Sequence, residues 1–349
     1  MKSFISILCA GLVLLGAAHA ASWSPLQVDV WEPAFNTERK HQVQTYTALD
    51  KAQKKWRICV SIPHLKDTYW LAVNYGLIEE ARRLGVAVTI QEAGGYDKPD
   101  VQRKQIEACM ANQADALVVG AIAQDGLSDL IKRYTDSGRP VVDLINGIRS
   151  PQLTARVAAD FFEMGQLAGE SVKKDTKGGR VLWMPGPKGA GWAEAGNAGF
   201  AAALAGSKWV LAETLWGDTG VAAQAALLSA YLDKHQDVGF VVGTAVSAEA
   251  AVQELRRRNL SDKVKVVSYY FSPVVYRAIE RGNIDAAPSD VPTLQSRLAL
   301  DLAVRILEKK PYPKHLAARL QVIDRSNVKK IELRDSLAPD GFRPIFNVD

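Results

Sequence analysis

Between Arg57 and Lys309 the chain alternates short apolar runs with amphipathic stretches roughly 10 to 15 residues long, and few folds accept that rhythm. Ile58 to Ile62, Val86 to Ile90, Ala116 to Val119, Val141 to Ile145 and Ala155 to Ala159 read as strands. The first helix carries Trp70, Val73, Leu77, Ala81 and Leu84 on one face and stops at Gly85. The next, Pro99 to Asn112, turns Val101, Ile106, Cys109 and Met110 inward, and a third runs from Asp125 to Ser137 before Gly138. After Gly178-Gly179 the pattern restarts, with strands at Val181 to Met184, Trp209 to Thr214, Val238 to Val242, Val264 to Ser268 and Ile284 to Ala287. Helices fill those intervals at Ala190 to Leu204, Thr219 to Lys234, Ser247 to Arg258 and Pro273 to Arg281. Such alternation means βαβ units, right-handed crossovers and mostly parallel sheets. Two runs of similar size predict an α/β protein of two Rossmann-like lobes facing each other across a cleft. The helix from Thr293 to Lys309 is left over and completes one of the two sheets.

Open α/β sheets bind ligands beyond the carboxyl ends of their strands, so the residues there are the candidate site. The first strand empties through Pro63 into a loop carrying Asp67, Tyr69 and Trp70, and the second into Gly94-Gly95-Tyr96-Asp97. Trp192 follows a glycine-rich turn and opens a helix, and Trp216 stands at a strand end. Either tryptophan suits the mouth. Each residue also has a plain structural role available: Trp70 begins the apolar helix face, Asp67 is a favoured N-cap, and Trp216-Gly217-Asp218 is a possible packing corner.

The ends and the composition exclude other classes. Lys2, the apolar stretch Phe4 to Ala17 and Ala18-His19-Ala20 form a secretory signal peptide pattern, with cleavage expected after Ala20. That run is shorter than the about 20 apolar residues of a spanning helix. Residues 21–55, with Trp23, Pro25, Trp31, Pro33 and Phe35, are expected to form an arm packed over the body. Its aromatics serve either internal packing or a partner protein. The net charge of +5 comes from 43 basic and 38 acidic residues scattered along the chain, which gives no stripe for nucleic acid. Cys59 and Cys109 could pair in an oxidising compartment or remain buried thiols; the sequence does not decide. His41, His64, His235 and His315 lack metal-ligand spacing. Gly186-Pro187-Lys188-Gly189-Ala190-Gly191 lacks the phosphate-loop spacings and reads as a tight turn. No Gly-x-Ser-x-Gly elbow is present. Neither a cofactor, a metal nor an enzymatic activity is expected.

Several loops together resemble the periplasmic sugar-binding proteins related to ribose-binding protein, over about residues 56 to 325. The resemblance rests on Ile62-Pro63 with Asp67-Thr68-Tyr69-Trp70, Val157-Ala158-Ala159-Asp160 with Gly165, and Gly186-Pro187-Lys188-Gly189 with Gly199-Phe200. Trp216-Gly217-Asp218 and Val266-Val267-Ser268-Tyr269-Tyr270 continue it. It implies a type I periplasmic binding protein whose lobes are joined by three hinge crossings near Asp160, Asp290 and Ala318. The N-terminal lobe would be 56–159 plus 291–318, the C-terminal lobe 160–290 plus 319–330, and 331–349 a C-terminal extension. Tyr270 falls on a ligand position of the family and Asp290 on a hinge.

The departures from that family matter more. Asp67, Tyr69 and Trp70 stand where sugar binders place Asn, Phe and Phe, Tyr270 replaces an Asp, and Gly196 replaces an Arg. A pyranose needs fixed partners for its hydroxyls, since each buried unpaired polar group costs about 1 to 3 kcal/mol. This mouth supplies rings, which suit a methylammonium surface at about 0.5 to 2 kcal/mol per face. The aromatic arm and the Asp-Thr-Tyr-Trp and Gly-Gly-Tyr-Asp loops resemble a narrower group of periplasmic proteins. That group binds trimethylamine N-oxide and works with a membrane-bound sensor histidine kinase, in a two-component system controlling anaerobic respiration of the N-oxide. The alternative within the same fold is the binding component of an ABC importer for a sugar or quaternary amine. Removing the Trp70 ring is expected to abolish binding without unfolding the protein, and the arm and tail are where partner contacts are first expected.

Overall fold

The computed structural model describes residues 23–349; the expected signal peptide lies outside them. β1 (Leu26–Trp31) and β2 (His41–Tyr46) form a hairpin. β3 (Arg57–Ile62), α1 (Thr68–Leu84), β4 (Ala87–Glu92), α2 (Pro99–Ala111), β5 (Ala116–Val119), α3 (Ser128–Asp136), β6 (Val141–Leu144) and β7 (Ala155–Val157) follow. The second run is α4 (Phe161–Lys173), β8 (Gly179–Gly186), α5 (Gly191–Leu204), β9 (Trp209–Trp216), α6 (Val221–Leu232), β10 (Val238–Gly243), α7 (Ala245–Arg257), β11 (Lys265–Ser268), α8 (Pro273–Arg281) and β12 (Ala286–Ser289). It is completed by α9 (Pro292–Leu307), β13 (His315–Ala318), β14 (Gln321–Asp324), α10 (Leu333–Ser336) and β15 (Asn347–Val348).

These strands build two sheets, one of nine strands in the order β15-β4-β3-β5-β6-β7-β13-β1-β2 and one of six in the order β14-β12-β11-β10-β8-β9. The run from β4 to β13 is parallel, as is the run from β12 to β9, while β15, β1, β2 and β14 pair antiparallel at the edges. Each parallel run has the same internal order, with its first strand lying between its second and its third. The chain therefore reverses direction of winding between β3 and β5 in one lobe and between β8 and β10 in the other. At such a switch point the two following loops diverge to opposite faces and leave a crevice.

Local sequence accounts for the elements that flank it. Asp67 caps α1, its carboxylate accepting the Trp70 N–H at 3.1 Å, and Gly85 ends the helix at φ 73°. Trp70, Val73, Leu77, Ala81 and Leu84 are all buried, as are Leu294, Leu298 and Leu302 of α9. The two helices meet at Gly76, where a Cβ would collide with Thr293 O, and at Glu80, paired with Arg297 at 3.3 Å. Each such aliphatic side chain contributes roughly 1.5 to 3 kcal/mol on burial. The leftover helix thus covers the nine-stranded sheet.

Four features differ from the sequence reading. Residues 26–46 are not an arm laid over the body: alternation in Leu26–Trp31 turns Val28 and Val30 into the core, and β1 pairs with β13 inside the sheet. The extension 331–349 also returns to this sheet, β15 pairing with β4 and Asn74 exchanging two hydrogen bonds with the Ile345 backbone. Val101 is 40% exposed, because the inward face set by Ile106 and Cys109 includes Gln102 one turn earlier instead. An unanticipated helix, α4, is capped by Asp160, whose carboxylate accepts the N–H groups of Phe162 and Glu163. Cys59 on β3 and Cys109 on α2 are joined in a disulfide.

Candidate ligand-binding site

The two switch points face each other, and each presents a tryptophan. Trp70 opens α1, and its ring lies against Gly120 just past β5, where a Cβ would stand 2.6 Å from the indole. Trp192 opens α5 against Gly186 at the end of β8, where a Cβ would stand 2.5 Å from its ring. No larger residue fits at either strand end without displacing the ring. Tyr69, Tyr96, Phe161 and Tyr270 complete the wall, with Tyr69 and Tyr270 at 5.3 Å and 64°, and Trp192 and Tyr270 at 6.2 Å and 79°. With Asp67, Ile145, Asn146 and Thr219 they enclose a cavity of about 20 Å³, measured to the centre of a water-sized sphere. That volume is little more than a single water requires, so the rings close tightly on one another.

Hydrogen bonds stitch the lobes together around it. Trp192 donates its indole N–H to Tyr96 Oη at 3.1 Å, and Asn146 Nδ2 donates to the same oxygen at 3.1 Å. Asn146 is held by a second bond to Ala121 O at 2.7 Å and follows Ile145, whose φ of 71° aims it inward. A β-branched residue in that region is strained, and such strain persists where surrounding contacts enforce it. Tyr69 donates to Asp290 Oδ2 at 2.5 Å, and the buried His64 ring meets Thr219 Oγ1 at 3.2 Å. Outside the cavity, Lys66 pairs with Asp218 at 3.2 Å.

The electrostatics follow from burial. Loss of water pushes Asp67 up to about 6, opposed by the backbone N–H groups of Trp70 and Tyr69. Asp290 rises to about 6 for the same reason, opposed by the Tyr69 hydroxyl. Burial holds His64 down to about 4, with the Lys66 charge adding to it, so the ring is neutral. Tyr69, Tyr96 and Tyr270 are all pushed upward by burial and stay protonated. At neutral pH the cavity therefore presents one carboxylate among uncharged rings, an arrangement that attracts a positively polarised, methylated surface.

Of the eight residues expected at the mouth, Asp67, Tyr69, Trp70, Tyr96, Trp192 and Tyr270 line this cavity. Asp67 is at once the cap of α1 and part of the wall. Two expectations need correction. Trp216 is not among the lining residues: β9 is the edge strand of its sheet, and the chain runs on to Thr219 before turning inward. Asp290 does not line the cavity either; it is 1% exposed and acts behind the wall by holding Tyr69. Sequence reasoning missed Ile145, Asn146, Phe161 and Thr219. Asn146 and Thr219 do follow strand carboxyl ends, the signal that selected the others, but a search for rings passes over them.

A profile described as a periplasmic binding protein domain matches residues 58–311. The periplasmic protein TorT of Escherichia coli (strain K12) is 37% identical over 323 residues, which is 90% of this chain and 93% of that protein. Among solved structures, an ABC transporter solute binding protein from Bradyrhizobium sp. BTAi1 with bound bis-tris is 44% identical. It superposes at a TM-score of 0.83 over 94% of this chain and 99% of that one. The complex of the TorS sensor domain with TorT, determined in the presence of trimethylamine N-oxide, matches at 29% identity and a TM-score of 0.76, over 84% of this chain and 100% of that one. The same complex has also been determined without ligand.

Proposed function

The chain belongs to the periplasmic binding protein family, and on that footing we propose that it is a periplasmic sensor that closes on trimethylamine N-oxide and engages the periplasmic domain of a sensor histidine kinase. Members of this family are binding proteins, not enzymes. The observation that carries the reading is the cavity itself: four aromatic side chains, Tyr69, Trp70, Tyr96 and Tyr270, join Trp192 around one carboxylate, Asp67, in a small space lined by rings. The methyl groups would lie against the rings and the oxygen would take a hydrogen bond from a phenol or indole. The relation to TorT, which forms a complex with the TorS sensor domain, supports a TorS-like kinase as partner. That complex exists with and without ligand. Ligand would then act by favouring one shape of an assembled complex, through different affinities for the two shapes. Titration calorimetry with trimethylamine N-oxide, trimethylamine and ribose tests the reading. Tight binding of the N-oxide is expected, and tight ribose binding with no N-oxide response overturns it.

A second reading has its own support. The 44% identical Bradyrhizobium protein is named an ABC transporter solute binding protein and holds bis-tris, a tertiary amine. This chain would then deliver a sugar or quaternary amine to an importer. A pull-down from membranes separates the two, by recovering a permease or a kinase. The lobes we assign are 56–159 plus 291–318, joined in the nine-stranded sheet by the hairpin and by β15, and 160–290 plus 319–330; cleavage after Ala20 predicts a mature N-terminus at Ala21, readable by terminal sequencing.

A further inference from the structure

Behind the aromatic cavity lies a second, larger one of about 170 Å³. The two share Ile145, Asn146, Phe161 and Trp192 as a common partition. Their chemistry differs. The second chamber is roofed by the β1–β2 hairpin and holds two guanidinium groups, Arg39 and Arg156, with Gln124, His315 and one carboxylate, Asp160.

Three of the polar groups there are donors with capacity left over. Arg39 faces Asp160 through Nε at 3.4 Å and stacks over Phe162 at 3.8 Å, and its two Nη groups have no partner among the described residues. Asp160 is already committed as the α4 cap. Arg156 spends Nε on Asp143 at 2.6 Å and Nη2 on Ile148 O at 2.5 Å, keeping Nη1. Gln124 accepts from Arg149 and keeps its Nε2. His315 is 7% exposed, stacked on Trp31 at 4.2 Å, and its buried Nδ1 has no partner among the described residues. Burial holds the His315 ring neutral and it bonds the Ala158 backbone, so Nδ1 is an acceptor and the donors of the chamber are Arg39, Arg156 and Gln124.

We propose that the two cavities form one bipartite site: the aromatic cavity takes a trimethylammonium head, and the polar chamber takes a carboxylate arm through the Asn146–Trp192 partition. The ligand class is then the betaines, zwitterions with a quaternary ammonium and a carboxylate a few bonds apart, in addition to the simple N-oxide. A carboxylate has no proton to give and needs donors, which Arg39, Arg156 and Gln124 supply. This inference rests on the aromatic cavity holding methylammonium groups, as proposed above.

Calorimetry with trimethylamine N-oxide, γ-butyrobetaine and the methyl ester of γ-butyrobetaine tests it. The ester keeps the head and the arm length and loses the arm's charge. γ-Butyrobetaine is expected to bind on the order of tenfold more tightly than its ester. Arg39→Gln is expected to remove most of that difference while leaving N-oxide affinity within about twofold. Gln124→Leu, which leaves the Arg39–Asp160 pair intact, should reduce it in the same direction, and melting curves matching wild type exclude misfolding. If the N-oxide binds and γ-butyrobetaine binds no better than its ester, the bipartite site is overturned and the sensor reading stands. If Arg39→Gln weakens all three ligands equally, Arg39 acts on hinge closure and the bipartite site is again overturned. If γ-butyrobetaine binds in an Arg39-dependent way and the N-oxide does not bind, the N-oxide reading fails and the bipartite site stands. Failure of all three ligands overturns both.

Discussion

Tyr96 Oη is the most heavily used atom of the cavity. It accepts from Asn146 in its own lobe and from Trp192 across the cleft. Tyr96→Phe removes that acceptor and leaves two buried N–H groups unpaired, at about 1 to 3 kcal/mol each. N-oxide affinity is expected to fall roughly tenfold or more, measured by calorimetry. Trp70→Ala is a poorer probe than the sequence implied. The ring is 2% exposed and packed against Gly120, so its loss costs about 3 to 5 kcal/mol of stability along with a cavity wall. A lowered melting temperature is expected together with lost binding. The carboxylates set a pH response of two signs. Asp67 and Asp290 have folded-state values raised to about 6, so the folded protein binds protons more tightly than the unfolded chain from there down to the ordinary carboxylate range. The unliganded protein is therefore expected to gain stability as pH falls from 7 through that window, seen in thermal melts. Affinity for the N-oxide should move the opposite way, weakening as Asp67 is protonated below about pH 6, because the methyl surface prefers the ionised carboxylate.

At the scale of elements, the disulfide joins the strand that delivers Asp67, Tyr69 and Trp70 to the helix that follows Tyr96. It closes a loop with a sequence separation of 50. The chain-entropy estimate for such a loop is about 4 kcal/mol, and measured values commonly fall between about 2 and 4. Replacing both cysteines by serine is expected to lower the urea midpoint correspondingly, with the loss falling mainly on the lobe of the nine-stranded sheet. The hairpin is anchored equally deeply. Asp301 on α9 is fully buried and accepts from Tyr46, the Leu49 N–H and Arg305, three partners that a short surface arm would not have.

For the whole molecule the question is what holds the lobes closed. Among the cross-cleft contacts, Tyr96 with Trp192, Tyr69 with Asp290 and His64 with Thr219 are buried, while Lys66 with Asp218 is exposed and Arg39 reaches Asp160 from the hairpin. The exposed pair has side chains 43% and 46% accessible, where such pairs contribute about 0 to 1 kcal/mol. Lys66→Ala is therefore expected to change N-oxide affinity by less than about fivefold, against the larger effect of Tyr96→Phe. A scattering measurement of the radius of gyration with and without N-oxide reads the same closure directly.

The alternation of strands and helices, the doubled lobe and the ring-bearing loops were legible in the residues because each depends on periodic burial within some twenty neighbours. Trp70 and Tyr96 could be named on that basis, since a ring beyond a strand end has few other places to go. What required the tertiary structure was everything set by distant pairing. β1 lies beside β13, Tyr69 bonds a carboxylate 221 positions away, and the tail returns to β4, with no local pattern to announce it. The choice of Trp192 over Trp216 belongs to the same class: both follow strands, and only sheet order puts one at the switch point and the other at an edge. Local periodicity decides which face of an element is buried, but the partner that buries it is decided by packing over the whole chain.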